Sequence, residues 1–237
     1  MTVKTVQSEC FEKVYPGRTL IVGMTPSGAH YAQVYWIMGR SANSRNRVFE
    51  LAGDGVRNKA YDPALMEDPS LIIYDPVRSL GDLHIVTNGD QTDTICDGYL
   101  QGLSFQQSLM YREFEPDAPH FTPRISAVLD AGKKTYTLSI LKTAGNDPSV
   151  CQRQFFDYSG FKPGIGHCIH TYDSEQEGLL RPFQGEPFEA PLFDSIEETA
   201  DFYWNGINED NRIAILVKHI DASSGEVSFA FRDKHGK

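Results

Sequence analysis

Short apolar or alternating runs bounded by turn residues dominate the pattern of hydrophobic and polar positions along this chain, the signature of strands. Thr19-Leu20-Ile21-Val22-Gly23-Met24 runs into Thr25-Pro26-Ser27-Gly28, and the pattern resumes over His30 to Met38, which predicts a hairpin. Leu71-Ile72-Ile73-Tyr74 and Leu83 to Thr87 predict a second pair of strands. A third is predicted from Arg124 to Leu129 and from Lys134 to Leu141, joined around Asp130-Ala131-Gly132. Gln152 to Tyr158, Gly166 to Tyr172, Arg212 to Ile220 and Glu226 to Phe231 add further strands. Two segments read as helices instead. Asp97 to Phe114 places Leu100, Leu103, Gln107 and Met110 on one side, and Ser195 to Asn205 follows a Phe-Asp-Ser capping pattern.

No linker rich in Pro, Gly and Ser divides the chain, and no internal repeat is present, so residues 1–237 are expected to form a single domain. Residues 161–191, rich in Gly and Pro, are expected to form an excursion from it. Many hairpins with two separated helices predict an α+β fold. Two mainly antiparallel sheets would pack face to face, with helices on the outer faces.

Composition narrows the class. Of the 237 residues, 40% are hydrophobic and 11% aromatic, a globular balance that can fill a core. No apolar run approaches ~20 residues, so no membrane-spanning helix is expected. Cys10, Cys96, Cys151 and Cys168 lack CxxC spacing, which argues against a zinc site or disulfide framework and favours a reducing cytoplasm. A net charge of −10 disfavours a nucleic-acid polymer as partner. Yet Val14 to Phe49 holds no acidic residue while Arg18, Arg40, Arg45 and Arg47 fall within it, a local cationic zone suited to a small anion.

Three segments carry candidate chemistry. Thr87-Asn88-Gly89-Asp90-Gln91-Thr92-Asp93-Thr94 sits between a strand and a helix, where its amides, hydroxyls and carboxylates can converge on a polar ligand. The plainer alternative is a turn and a capped helix start. Gly39-Arg40-Ser41-Ala42-Asn43-Ser44-Arg45-Asn46-Arg47 offers three guanidiniums, rigid forks that meet two oxygens at once. Thr122-Pro123-Arg124-Ile125 opens a strand that aims Arg124, and Glu115 lies just upstream, where a carboxylate opposes a helix dipole. His167 and His170 fall on opposite faces of a strand, so the pair is not expected to chelate a metal.

Taken together, these segments resemble the archaeal-type IMP cyclohydrolases. The resemblance rests on Tyr15-Pro16-Gly17-Arg18 through Val22-Gly23, on Gly39 to Arg47, on Thr87-Asn88-Gly89 to Thr94-Ile95, on Thr122-Pro123-Arg124-Ile125, and on a shorter echo at Thr171-Tyr172. It implies a four-layered αββα sandwich like that of N-terminal nucleophile hydrolases. It also implies ring closure of a formamidoimidazole-carboxamide ribonucleotide to IMP, at the end of purine synthesis, without metal or cofactor. The carboxamide nitrogen would attack the adjacent formyl carbon, and the adduct would lose water. The resemblance implies catalytic roles for Arg45, Tyr74 and Glu115, with Arg47 an alternative to Arg45. Arg40, Arg47, Asn88, Thr92, Asp93 and Arg124 would hold base, ribose or phosphate. Residues 1–14 form an extension beyond the family pattern; this segment or the 161–191 excursion would serve as an oligomer contact or a lid. Two other readings stay open: a purine-nucleotide-binding homologue without turnover, and an amidohydrolase using Thr2 as N-terminal nucleophile.

Overall fold

The structure, a computed structural model, describes residues 3–69 and 71–236. Thr2 lies outside them. The predicted hairpin forms as β1 (Thr19–Met24) and β2 (His30–Met38), in register from Thr19 opposite Trp36 to Met24 opposite Tyr31. Gly28 closes its turn at φ 74°, a region open to glycine without steric cost, and its N–H donates to the Thr25 carbonyl at 2.9 Å.

Seven strands then follow one another in spatial order as an antiparallel meander: β3 (Arg47–Ala52), β4 (Gly55–Ala60), β5 (Val77–Leu80), β6 (Leu83–Thr87), β7 (Arg124–Asp130), β8 (Thr135–Ala144) and β9 (Asp147–Tyr158). The other large sheet gathers strands from both ends of the chain. Its order is β13 (Phe188–Pro191), β10 (Ile165–His170), β1, β2, β14 (Arg212–Asp221) and β15 (Val227–Asp233). A small hairpin of β11 (Tyr172–Gln176) and β12 (Leu179–Pro182) stands apart. Residues 161–191 thus contain four strands, one of them paired directly with β1.

Side-chain alternation builds the layers. On β6, Val86 joins the large core between the sheets while Ile85 faces out; on β7, Ala127 and Leu129 face in while Val128 faces out. The outward set packs under α2 (Gln91–Leu100) and α3 (Phe105–Ser108) through Ile95, Cys96, Phe105 and Leu109. Across the molecule, α4 (Ile196–Gly206) covers the six-stranded sheet, and its Tyr203 stacks on Trp36 of β2 at 5.6 Å. The order is therefore helix, sheet, sheet, helix, as expected. No helix among the described residues is long and apolar enough to cross a membrane.

Three local expectations need correction. The long helix over Asp97 to Phe114 is instead α2, which starts at Gln91, and a separate α3. Gly102 at φ 79° ends α2 in a Schellman turn, in which Leu103 N–H donates to the Gly98 carbonyl and Gly102 N–H to the Tyr99 carbonyl. Ser104 and Gln107 then cap α3 reciprocally. Leu100, Leu103 and Met110, the predicted apolar face, are exposed. Leu71 to Tyr74 is a loop and not a strand, because Asn58 captures it: the Asn58 carboxamide donates to the Ile72 carbonyl at 2.7 Å and its N–H to the Tyr74 carbonyl at 2.9 Å. The partner of β6 is β5, and the β3–β4 hairpin was not anticipated. The strand predicted over Gly166 to Tyr172 breaks after His170, and Tyr172 opens β11.

Candidate active site

One end of the sandwich opens into a cavity of about 450 Å³. Its wall comes from strand ends: Arg18 before β1, Arg40 after β2, Arg47 opening β3, Glu115 and Thr122 before β7, and Tyr172 after β10. At its back, Arg18 Nη2 donates to Glu115 Oε2 at 2.9 Å, with the two side chains 12% and 3% exposed. Arg18 Nη1 also donates to the Asn88 carbonyl at 3.2 Å. Burial pushes the Glu115 carboxyl above the usual carboxylate range despite the attraction of Arg18 and Arg124. A carboxyl so placed exchanges a proton closer to neutral pH than a solvated one. For Arg18, burial is the largest influence and opposes the charge, but Glu115 together with the Tyr74, Tyr35 and Tyr172 phenols outweighs it and keeps the guanidinium firmly protonated.

Tyr74 is carried by the captured loop but is not among the residues lining the cavity: it is buried, and its hydroxyl shares a 2.6 Å hydrogen bond with Tyr35. Burial and Tyr74 push the Tyr35 phenol well above its ordinary value. On the facing wall, Thr122 bridges Asp117 and the Tyr172 hydroxyl, which lies 2.5 Å from Thr122 Oγ1. Glu115 N–H donates to the Thr122 carbonyl at 2.8 Å, closing the loop that carries both residues. Gly17, at φ 77°, makes this approach possible, since an added Cβ there would fall 2.1 Å from Thr171 Oγ1 and 2.6 Å from the Tyr172 ring.

The two candidate arginines part company. Arg47 is 3% exposed and lines the cavity; its Nε donates to the Ser44 carbonyl at 2.7 Å, while its buried Nη1 has no hydrogen-bond partner among the described residues. A buried guanidinium nitrogen without an acceptor is costly unless a ligand supplies one. Arg45 turns elsewhere, to the Gly39 carbonyl at 3.1 Å and the Asn211 carboxamide at 3.4 Å. Arg40 pairs with Glu175 at 2.8 Å and lies 4.8 Å from the Tyr15 ring centre, at the cavity wall.

Other predicted residues support the site from behind. The buried Asn88 side chain is engaged at both ends: its oxygen accepts from Ile125 N–H and Gln91, and its nitrogen donates to the Pro123 carbonyl. Thr92 Oγ1 bonds Thr87 Oγ1 at 2.6 Å and the Gly89 carbonyl at 3.0 Å. Asp93 is exposed and pairs with Arg78. Arg124 reaches Asp90 and Gln91 at 2.5 and 2.9 Å, and the Gly89 backbone passes between it and Glu115. Asp117, His120 and Tyr172 are cavity residues that sequence reasoning did not single out as site residues. For Arg18 a signal existed, in a cationic residue placed by Pro-Gly immediately before a strand.

His167 and His170 do take separate partners. His167 Nδ1 meets the Tyr136 hydroxyl at 2.6 Å, and His170 Nδ1 meets the Tyr172 carbonyl at 3.0 Å. Glu9, His170 and Asp173 approach one another closely enough to hold a metal ion. Lys13 already bridges the two carboxylates at 2.7 and 2.9 Å, with its ammonium where a cation would stand.

Known proteins resemble this chain over most of its length. A family model described as IMP cyclohydrolase-like protein matches residues 15–224. An IMP cyclohydrolase of Methanopyrus kandleri is 30% identical over 182 residues, covering 76% of this chain and 85% of that protein. An IMP cyclohydrolase of Methanococcus aeolicus is 32% identical over 164 residues, covering 68% and 75%. One from Methanothrix thermoacetophila is 25% identical over 192 residues, covering 76% and 90%.

Proposed function

This chain belongs to the IMP cyclohydrolase-like family, and from that premise we propose that it closes a formamidoimidazole-carboxamide ribonucleotide to IMP within the cavity bounded by Arg18, Arg47 and Glu115. The observation that carries this reading is the buried Arg18–Glu115 pair set opposite the unpartnered Arg47 nitrogen. It joins a carboxyl suited to proton transfer with a donor suited to an anionic substrate.

The reacting groups sit on adjacent ring atoms, so the enzyme gains most by selecting the rotamer in which the carboxamide nitrogen faces the formyl carbon. That nitrogen is a weak nucleophile. It loses one proton as the C–N bond forms, the formamido nitrogen loses the second as the ring C=N bond forms, and the formyl oxygen takes up two protons and leaves as water. Glu115 is assigned the proton transfer, with Arg18 fixing its orientation. Tyr74, coupled to Tyr35, is assigned hydrogen bonding at the formyl oxygen. Arg47 and Arg40 are assigned the anionic end of the substrate; Arg45 acts from outside the cavity by bracing the Gly39 to Arg47 loop. Asn88, Thr92 and Arg124 position the Thr87–Asn88–Gly89 backbone against Arg18 and Glu115.

Ring closure followed by ultraviolet absorbance tests the assignment. Glu115→Gln is expected to slow turnover about 10²–10⁴-fold, the usual contribution of a placed proton donor or acceptor. A Glu115→Gln enzyme closing the ring at the wild-type rate would remove the proton-transfer role. Binding of IMP by the wild-type protein without turnover would favour a nucleotide-binding homologue instead.

A further inference from the structure

At the opposite end of the sandwich from the cavity, three polar atoms meet between the sheets. Lys218 of β14 lies in register with Gln33 of β2, and Gln33 Nε2 donates to the His84 carbonyl of β6 at 2.9 Å. Lys218 Nζ lies 2.9 Å from Ser79 Oγ and 2.9 Å from His84 Nδ1; Ser79 Oγ lies 3.3 Å from that same nitrogen. Lys218 is fully buried and His84 nearly so. Both hydrogen-bond partners of Lys218 are neutral, and Asp54 acts on it only through longer-range attraction. An ammonium buried among neutral groups is disfavoured, and burial brings Lys218 down to about 8. His84, lowered to about 3 by burial and by Lys218, stays uncharged at neutral pH.

The neutral amine fits this triangle. As an ammonium Lys218 Nζ donates to Ser79 Oγ; once deprotonated it has one lone pair to accept the Ser79 O–H and an N–H to donate to His84 Nδ1. Ser79 is half-buried and lines a cleft of about 540 Å³ with Gly53, Asp54, Gly55 and Arg78. The cleft exists because β5 pairs with β4 through a single bridge, Val56 to Val77, leaving Arg78 and Ser79 beside the Gly53–Asp54 turn. Around Gly53 the space is open, with nothing within 4 Å of an added Cβ. Arg57 pairs with Asp75 and Arg78 with Asp93, so the flanking cations are already matched. A charged substrate gains little there.

We propose that Ser79 and Lys218 form a second, acyl-transfer site that hydrolyses small uncharged esters. The Ser79 hydroxyl proton passes to Lys218 Nζ as Oγ bonds to the acyl carbon. The bond to the leaving alcohol then breaks, and that oxygen takes the proton from Lys218. Water next attacks the acyl carbon, giving a proton to Lys218, and the carbon–Oγ bond breaks as Ser79 recovers it. One ester and one water become one acid and one alcohol. Neither residue lines the first cavity, so this site stands or falls independently of ring closure.

A fluorophosphonate probe with peptide mass mapping, together with p-nitrophenyl acetate turnover, tests this on the full chain. Labelling is expected at Ser79. It should slow about tenfold per pH unit below about 8, as Lys218 takes up a proton in an environment otherwise made of Ser79, His84, Gln33, Asp54 and the Phe229 ring. Ser79→Ala is expected to abolish labelling and ester turnover while leaving ring closure unchanged; Lys218→Met, where it still folds, lowers labelling at least tenfold. Failure to label Ser79, labelling independent of pH from 6 to 9, or wild-type ester turnover by Ser79→Ala would each overturn the proposal.

Discussion

The two ends of the sandwich bury charge in opposite ways. At the cavity end, Arg18 is buried against Glu115, and each partner gives the other a reason to stay near or in its charged form. At the far end, Lys218 is buried beside Ser79 and His84, with no counter-charge in hydrogen-bond reach, and burial drives it toward the neutral amine. The setting differs too: Lys218, Ser79 and His84 lie on strands of the two facing sheets, whereas Arg18 and Glu115 lie in the segments that lead into β1 and β7. It also differs in whether the neighbouring strand end supplies an acid. A cation with an acid beside it becomes a fixed orienting group; a cation without one becomes a base.

The largest effect that would break this contrast is on stability. Arg18→Met removes the counter-charge and leaves Glu115 buried, which is expected to cost about 3–5 kcal/mol at neutral pH, measured by urea unfolding. Measured at pH 9, above the value of about 8 that burial gives Lys218, Lys218→Met removes a neutral amine and is expected to cost far less. Equal losses from the two substitutions would mean that Lys218 is held as an ammonium, and the comparison would fail.

Acid titration sharpens the same point. Burial holds His84 at about 3 and His219 at about 4 in the folded chain, both below the ordinary 6.5. A depressed value means the unfolded chain binds the proton first. The stability these groups contribute is therefore full above 6.5 and is lost as pH falls toward the folded values. The limiting slope is about 1.4 kcal/mol per pH unit for each histidine. Glu115, raised by burial, works in the opposite direction and offsets part of the loss. Unfolding free energy measured from pH 7 to 5 should fall, and His84→Gln should flatten the fall. A flat wild-type profile would sink the assignment of neutral buried histidines.

The third test separates two arginines that sequence could not. Arg47→Ala removes the unpartnered cavity donor and is expected to raise KM at least tenfold, in line with a charge-assisted hydrogen bond of about 1.5–3 kcal/mol. Arg45→Ala breaks contacts to Gly39 and Asn211 and should change KM only a few-fold. The reverse order would return the orienting role to Arg45.

That ambiguity shows where sequence reading stops. Strands that are continuous apolar runs, such as those around Ile21 and Leu216, were legible because both of their faces are buried. Tyr74 was placed on a strand because Leu71-Ile72-Ile73-Tyr74 has strand composition; a single carboxamide, Asn58, overrides that preference from outside the segment. The break between α2 and α3 was written in Gly102 and Ser104, but the apolar spacing through Leu103 and Met110 hid it. For the site, Glu115 was singled out on a helix end that the structure does not contain, since α3 stops at Ser108, so only the family resemblance pointed to it. Its partner Arg18 lies 97 positions away, and nothing local to either residue announces the pair.

The smallest predicted effect serves as the control for all the others. Ser104 caps α3, accepting from Gln107 N–H at 3.2 Å while its own N–H donates to Gln107 Oε1 at 2.8 Å. Ser104→Ala is expected to cost about 1 kcal/mol, the ordinary value of a lost cap. The helix touches neither the Arg18–Glu115 pair nor the Lys218 triangle, so both ring closure and Ser79 labelling should persist at wild-type rates while the urea midpoint drops. Only then do losses seen in Arg18→Met or Lys218→Met report on buried charge and not on global destabilisation. If Ser104→Ala slows ring closure, α3 is coupled to the cavity through the chain that leads from it to Arg112, which pairs with Asp90, and on to Glu115. The cavity end would then depend on the outer helical layer in a way the Lys218 end does not.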